Sequence, residues 1–462
     1  MNKLKPILVA LSAAGLAACS LAPDYQRPSS VLEDSVSEQM VVNIPDWQAV
    51  YTDPLLQKLI EQALTNNRDI QIAQLQVAQL KQAYQIEESA DWPKVAAQAQ
   101  TIRQRVAQDI SSTGNAYYGT THQVNAVLTA YEIDFFGRLD NLQNAALAEY
   151  LSSQAAQATV QQNVVALVAN AYFNLIQLNN YLSLQEALTE SQQTSYQIYQ
   201  SLAEQGVVSE TDLLVIRSQM QTSKRQLFVA QDLANQAYWQ LNKLLALPKD
   251  NQLLQQVRQQ KLSTDQMTAL PKNLPSELLR NRPDIYAAEQ DMLAANANIG
   301  VARAAFYPSI TLTSSIGFAS TDLDNLFESE SHRWSFSPQL NLPIFNAGQL
   351  DAQLEIARLQ KDSSVVKYQQ TVEAAFTEFY TSLETQRLIQ QQLESQQALT
   401  NDSLQQVKLS QQRLAQGVES ELDYQVQYRV YLTQQQALLQ DQLNYLLNQV
   451  TLFKTIGGPI SV

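Results

Sequence analysis

Two stretches of the chain carry apolar residues at helical spacing with almost nothing to interrupt them. Between Gly137 and Pro248 the only glycine is Gly206, and no proline intervenes. Between Gly348 and Gly457 the only glycine is Gly417, again without proline. In the first stretch Val164, Leu167, Val168, Ala171, Leu175, Leu178 and Leu182 recur at threes and fours, the stripe of an amphipathic or coiled-coil helix. Each stretch therefore predicts a long helix, a break at the lone glycine, and a returning helix. The first is expected from about Leu139 to Gln205, roughly 100 Å at about 1.5 Å per residue. No compact core needs helices that long. Their other faces carry Gln, Asn and Ser more than charge, which suits a wall looking onto water.

Elsewhere the period changes to two. In 309–318 Ile310, Leu312, Ile316 and Phe318 alternate with Thr311, Thr313 and Ser315; in 334–345 Trp334, Phe336, Leu340, Leu342 and Ile344 alternate with Ser335, Ser337, Gln339 and Asn341. Strands of about ten residues with one apolar and one polar face fit a transmembrane barrel, with a soluble hairpin as the alternative. Pro308 and Trp334 are expected near the membrane interfaces. A weaker pair of strands is expected at about 94–105 and 122–135, where Gln98, Gln100 and Gln104 mark the polar face but the alternation is imperfect.

The chain is duplicated. GVVSETDL at 206–213 matches GVESELDY at 417–424 at an offset of 211, and Gly137-Arg138-Leu139-Asp140 matches Gly348-Gln349-Leu350-Asp351 at the same offset. Upstream the offset is 215, from Asp69-Ile70 with Asp284-Ile285 and Trp92-Pro93 with Tyr307-Pro308. The change predicts a loop four residues shorter in the second copy, between Pro308 and Gly348. Two hairpins give four strands per chain, too few to close a barrel, and open edges do not survive in lipid. Several chains must then share one barrel; three would give about twelve strands and room for a channel.

Composition narrows the function. Of 462 residues, 30 are Lys or Arg and 44 are Asp or Glu, a net charge of −14 that argues against a nucleic-acid binder. Charged residues make up only 16% while Gln reaches 66. One Cys and two His leave little for a metal site. His122 and His332 both fall on the second strand of a hairpin and are expected to face water near a loop, with no ligand cluster around them. No nucleophile–base set or phosphate loop is visible, so no enzyme is expected. At the start, Lys3 and Lys5 precede an apolar run from Ile7 to Ala18, too short to span a bilayer and typical of a secretory signal. Leu16-Ala17-Ala18-Cys19 looks like the cleavage box of bacterial lipoproteins. By that resemblance Cys19 becomes the mature N-terminus and carries lipid, and Ser20 rather than Asp favours the outer membrane.

In these features the chain resembles the outer-membrane factor family, the TolC-like exit ducts, in the lipoprotein branch that serves efflux pumps of the resistance-nodulation-division type. The resemblance rests on CSLAPDYQRP at 19–28, YTDPLLQKLIEQALTNNRDI at 51–70, LLRNRPDIYAAEQDMLAANANIGVARAAFYPSITL at 278–312, PIFNAG at 343–348 and the two Gly-x-x-Ser motifs. It implies a mainly α fold with a membrane β-barrel: a homotrimer with a 12-stranded β-barrel continued by a 12-helix periplasmic α-barrel. The organisation expected is a signal peptide at 1–18, a lipidated segment and belt at 19–52, a first repeat at 53–247 with β-hairpin about 94–135 and helical hairpin 139–247, a belt linker at 248–275, a second repeat at 276–456 with β-hairpin about 309–346 and helical hairpin 349–456, and a tail at 457–462.

The resemblance further implies a passive exit for drugs and toxic solutes in the outer membrane of a Gram-negative bacterium. Expected partners are a periplasmic adaptor (membrane fusion) protein, a proton-driven inner-membrane transporter and outer-membrane lipid. No cofactor is expected beyond S-diacylglycerol and N-palmitoyl on Cys19. Alternatives are a duct for metal export or type I protein secretion, or a non-conducting coiled-coil lipoprotein. Gly206, Ser209, Arg413, Gly417 and Ser420 are expected at adaptor-docking tips. There glycine supplies a positive φ and serine caps the returning helix. Leu202 stands where the second copy has Arg413, so the two tips are not equivalent. Leu422, Asp423, Arg429 and Asp212 are expected at a periplasmic gate, where an acidic ring would favour cations and Arg429 could bond a neighbouring helix. As a purely local reading, Asp423 is an acid at a helix N-terminus.

Overall fold

The structure, a computed structural model, describes residues 20–28, 46–112, 114–248, 251–270, 279 and 282–460. The expected signal segment 1–18, the lipid site Cys19, the parts of the belt at 29–45, 249–250 and 271–275, the start of the second repeat at 276–278, and the tail residues 461–462 lie outside the described residues.

The elements in chain order are α1 (Trp47–Val50), α2 (Pro54–Asn66), α3 (Arg68–Glu88), β1 (Val95–Val106), β2 (Tyr117–Ile133), α4 (Arg138–Glu204), α5 (Glu210–Leu245), α6 (Gln252–Arg258), α7 (Pro283–Ala304), β3 (Ser309–Ser320), β4 (His332–Asn341), α8 (Gln349–Ala415) and α9 (Glu421–Thr455). The fold is mainly helical with one sheet, as the hydrophobic patterning implies. α4 and α8 are each 67 residues long and begin and end 211 positions apart. No helix among the described residues is long and apolar enough to cross a membrane.

By contacts the chain divides into two compact units that cut across the repeats: Met1–Ser29, Gln76–Gln154 and Ala287–Gln369 in one, and Ser30–Leu75, Ala155–Tyr286 and Gln370–Val462 in the other, as far as these are described. The first contains the four-stranded antiparallel sheet, in the order β1-β2-β3-β4. Its two outer edges, β1 and β4, pair with no other strand among the described residues.

The register separates the sheet into two chemical faces. Val95 opposes Leu128, Ala97 opposes Ala126, Ala126 opposes Ile316 and Ile316 opposes Trp334, all on one face. Gln100 opposes Gln123, Gln98 opposes Asn125, Ser315 opposes Ser335 and Thr311 opposes Gln339 on the other, because successive residues of a strand alternate sides. A bulge between Leu128 and Tyr131, with Ala130 at φ 44°, shifts the alternation of β2 by one residue. This is why the first copy reads imperfectly.

One expectation needs correction. The four-residue difference between the copies does not sit in a loop. The hairpin turns are of nearly equal length, and the difference lies mainly in the second strand, which has 17 residues in β2 and 10 in β4. His122 and His332, expected to face water near a loop, stand toward the turn end of the sheet: His122 opposes Ser320 and His332 opposes Phe318, on the face that carries Ala126 and Ile316.

Still within the first unit, residues 20–28 run along α7. Ser20 donates to Asn141 Oδ1 (3.0 Å), Arg303 to the Leu21 carbonyl (2.9 Å), Asn296 to the Pro23 carbonyl (2.8 Å) and Tyr25 to Glu289 (3.1 Å). Arg27 pairs with Glu289 at 3.3 Å and reaches the Tyr368 hydroxyl at 3.1 Å. A Cβ at Gly300 would sit 2.6 Å from the Asn141 side chain, so α7 approaches α4 where only glycine fits.

The second unit has its core around α2, whose Leu55, Leu56, Leu59, Ile60 and Ala63 are buried with Leu254, Val257, Met267 and Phe453. Asp53 caps α2 and accepts from the Tyr172 hydroxyl (2.5 Å) and Gln266 (3.1 Å). Arg282 of the RPDI motif is buried; it pairs with Asp284 (2.8 Å) and Glu378 (3.1 Å) and donates to the Thr455 carbonyl (3.1 Å). Much of the motif block that carries the resemblance thus holds the fold together.

Candidate functional site

The tips of the two helical hairpins are built alike. Gly206 and Gly417 each have φ 72°. At the first tip Val207 N–H bonds the Leu202 carbonyl (2.9 Å) and Gly206 N–H bonds the Ala203 carbonyl (3.0 Å); at the second Val418 bonds Arg413 (3.0 Å) and Gly417 bonds Leu414 (3.0 Å). This paired pattern closes a helix C-terminus around a left-handed residue. It usually brings an apolar contact between the two outer positions, which are Val207 and Leu202 at the first tip. In the second, Arg413 stands at the Leu202 position and is exposed.

Each returning helix begins with a reciprocal cap. Ser209 Oγ accepts from Asp212 N–H (3.1 Å) while Asp212 Oδ2 accepts from Ser209 N–H (3.3 Å) and its hydroxyl (2.6 Å). Ser420 and Asp423 repeat this at 3.2, 3.3 and 2.6 Å. Both aspartates thus have a local task at the helix start, and both remain exposed. The second tip has one further tie: Ser410 donates to Glu419 (2.9 Å).

Hydrogen bonds between the helices establish the order α5-α4-α9-α8 in the second unit. Gln185 and Thr189 of α4 meet Ser223 of α5. Gln396 and Thr400 of α8 meet Gln434 of α9, at positions offset by 211 from the first set. Between the repeats, Arg429 of α9 donates to Ser191 (3.0 Å) and Ser195 (2.9 Å) of α4, and Gln436 donates to Gln185 (3.3 Å). Burial lowers the pKa of Arg429, which no salt bridge with a described residue offsets.

The two hairpins differ in their seams. The second places Asp441 against Gln392 (2.7 Å) and Asn448 against the Ser382 carbonyl (3.0 Å) and Gln386 (2.7 Å). The first has Tyr181, Ala230, Ala171, Leu175 and Ala237 at those places. Burial raises the Asp441 carboxyl, partly offset by the Gln392 bond. The second hairpin thus places a hydrogen-bonded carboxyl and amide in its seam where the first has alanine, leucine and tyrosine.

Of the residues expected at the gate, Leu422, Asp423 and Arg429 lie on α9 and Asp212 on α5. The structure joins Arg429 to α4 rather than to Asp423. The acceptors Ser191 and Ser195 escaped the sequence reading; their only signal is an i, i+4 pair of small polar residues facing one side of α4. The outer helices of the row expose apolar side chains: Leu214, Val215, Phe228 and Val229 on α5, and Leu388, Leu399 and Leu409 on α8.

A helical row and an amphipathic sheet, each ending in two open edges, define a subunit of an outer-membrane channel. The chain matches the family model described as outer membrane efflux protein over residues 59–247 and 274–458, and it belongs to that family. It is 38% identical to the solvent efflux pump outer membrane protein SrpC of Pseudomonas putida, over 97% of each chain. A crystal structure of a membrane protein from Pseudomonas aeruginosa superposes with a TM-score of 0.86 at 31% identity, covering 95% of this chain and 100% of that one. The open state of the MtrE outer membrane channel of Neisseria gonorrhoeae gives 0.82 at 29% identity, covering 95% and 98%. The protein is an outer-membrane efflux channel component.

Proposed function

We propose that three copies of the chain close into one duct, a twelve-stranded β-barrel with a twelve-helix tunnel, through which a tripartite pump expels small toxic solutes. The observation that carries this reading is the pair of open edges. β1 and β4 end a sheet with one apolar and one polar face, and α5 and α8 end a helical row with exposed apolar side chains. Closure between copies satisfies both, since a barrel abolishes unpaired edges. The apolar face meets lipid and the polar face lines the channel.

Cys19 carries the S-diacylglycerol and N-palmitoyl anchor, and the run of bonds from Ser20 to Arg27 along α7 gives the anchored chain a fixed path. The tips at Gly206, Ser209, Arg413, Gly417 and Ser420 receive a periplasmic adaptor, which links the duct to an inner-membrane proton-driven transporter. The unlike residues Leu202 and Arg413 make two kinds of tip. The gate lies at the tunnel end. Arg429 latches α9 to α4, and Asp423, with Leu422 beside it, forms an acidic ring to which Asp212 adds. Apolar solutes such as solvents and antibiotics are the expected cargo, by the names of its relatives.

Expression in a Gram-negative strain that keeps a matching adaptor and transporter but lacks its own duct tests this reading. Restored tolerance to apolar drugs and faster loss of a preloaded fluorescent dye are expected. Unchanged tolerance and dye retention, with the protein present in the outer membrane, would contradict it.

A further inference from the structure

The apolar face of the sheet ends in positive charge. Arg103 opposes Thr120 and Arg105 opposes Tyr118, on the side of the sheet that carries Val95, Ala97 and Ala99. His122 lies opposite both Thr101 and Ser320, and its Nδ1 is 2.9 Å from the Thr101 hydroxyl. His332 follows on β4 opposite Phe318, with ring centroids 5.9 Å apart. The band thus crosses the sheet at its turn end. No carboxylate occupies this face of the strands: Glu132 lies on the other face opposite Thr311, and pairs with Arg138. Arg103 and Arg105 are exposed and form no salt bridge with a described residue.

Depth makes this placement informative. From Val95 to Arg103 the strand rises about 26 Å at about 3.3 Å per residue. With strands tilted by about 40°, that is about 20 Å of membrane thickness. Two arginines on the lipid side are costly near the bilayer centre and nearly free at an interface. The band therefore falls at the outer interface, away from the helical connections. Arginine there, beside histidine, tyrosine and hydroxyl groups, matches phosphate oxygens by charge and by its forked geometry.

We propose that Arg103 and Arg105, flanked by His122 and His332, hold the phosphate groups of lipopolysaccharide in the outer leaflet, and so fix the depth of the barrel. This rests on the reading of the sheet as part of a membrane barrel. The test is native mass spectrometry of the detergent-solubilised oligomer, titrated with bisphosphorylated lipid A and with the same lipid after enzymatic dephosphorylation. The wild type is expected to prefer the phosphorylated lipid. Arg103→Gln/Arg105→Gln should lose about tenfold or more in affinity for it, and Arg103→Lys/Arg105→Lys, which keeps the charge without the fork, should fall between the two. Equal binding of the two lipids by the wild type, or equal binding of bisphosphorylated lipid A by wild type and the Gln variant, overturns the proposal. If the Gln variant fails to assemble, the wild-type comparison of the two lipids decides alone. Conductance in planar bilayers separates the two readings: a conducting protein without lipid preference sinks this inference only, and a folded protein that never conducts sinks the barrel itself.

Discussion

Arg429 brings a charge to a place that offers it two hydroxyls, from Ser191 and Ser195, and it forms no salt bridge with a described residue. Such a tie can be released at modest cost, which suits a latch better than a permanent brace. Replacing Arg429 with Ala should raise single-channel conductance by about twofold or more and sensitise cells to vancomycin-sized solutes; unchanged values in both would remove Arg429 from the gate. Asp441 gives the seam of the second hairpin a pH dependence. Its folded pKa is raised, so the stability it contributes is present below the unfolded value, about 3.9, and is lost as pH rises through the folded one. Asp441→Asn keeps a partner for Gln392 and removes the charge. Melting followed by circular dichroism should show the variant level with wild type near pH 4 and ahead by about 2 °C near pH 7.5; a gap independent of pH contradicts the sign. At this scale the sequence was half legible. Asp423 and Ser420 could be read as a cap from spacing alone, whereas Ser191 and Ser195 could not be paired with a residue more than two hundred positions away.

At the scale of elements, the long helices were plain because nothing in 138–204 or 349–415 supplies a glycine or proline to end them. The strands were less so. β2 starts at Tyr117, in a YYGTT run without apolar alternation, and its bulge at Ala130 reverses the phase near its end. Short strands whose two faces meet lipid and water also lack a core to sharpen their pattern. The tips depend on backbone conformation rather than packing: a Cβ at Gly417 meets no atom, but φ 72° disfavours any other residue. Gly417→Ala should therefore cost about 1 kcal/mol locally. Trypsin cleavage after the exposed Arg413 would then quicken about fivefold through local opening. Cleavage at the wild-type rate would mean that position 417 does not hold the positive φ described.

At the scale of the whole molecule, duplication makes the single chain nearly self-similar. Its helical row α5-α4-α9-α8 joins the repeats through position 429 of α9 and position 191 of α4. Closing a ring of copies creates a second junction of the same kind, between α5 of one chain and α8 of the next. Shifting each position by the repeat offset of 211 places Ser218 beside Asp402 of the partner subunit. The apolar residues exposed on α5 and α8 lie along those same two helices. The number of copies could be argued from strand count, but the pairing across chains needed the observed α4–α9 contact before the repeat could be used to transfer it. Disulfide crosslinking in the native membrane tests this directly. The double variant Ser218→Cys/Asp402→Cys, oxidised in whole cells, should run on a non-reducing gel as a ladder of monomer, dimer and trimer, with neither single variant forming it. A double variant that reaches the outer membrane and stays monomeric under oxidation would contradict the closed ring.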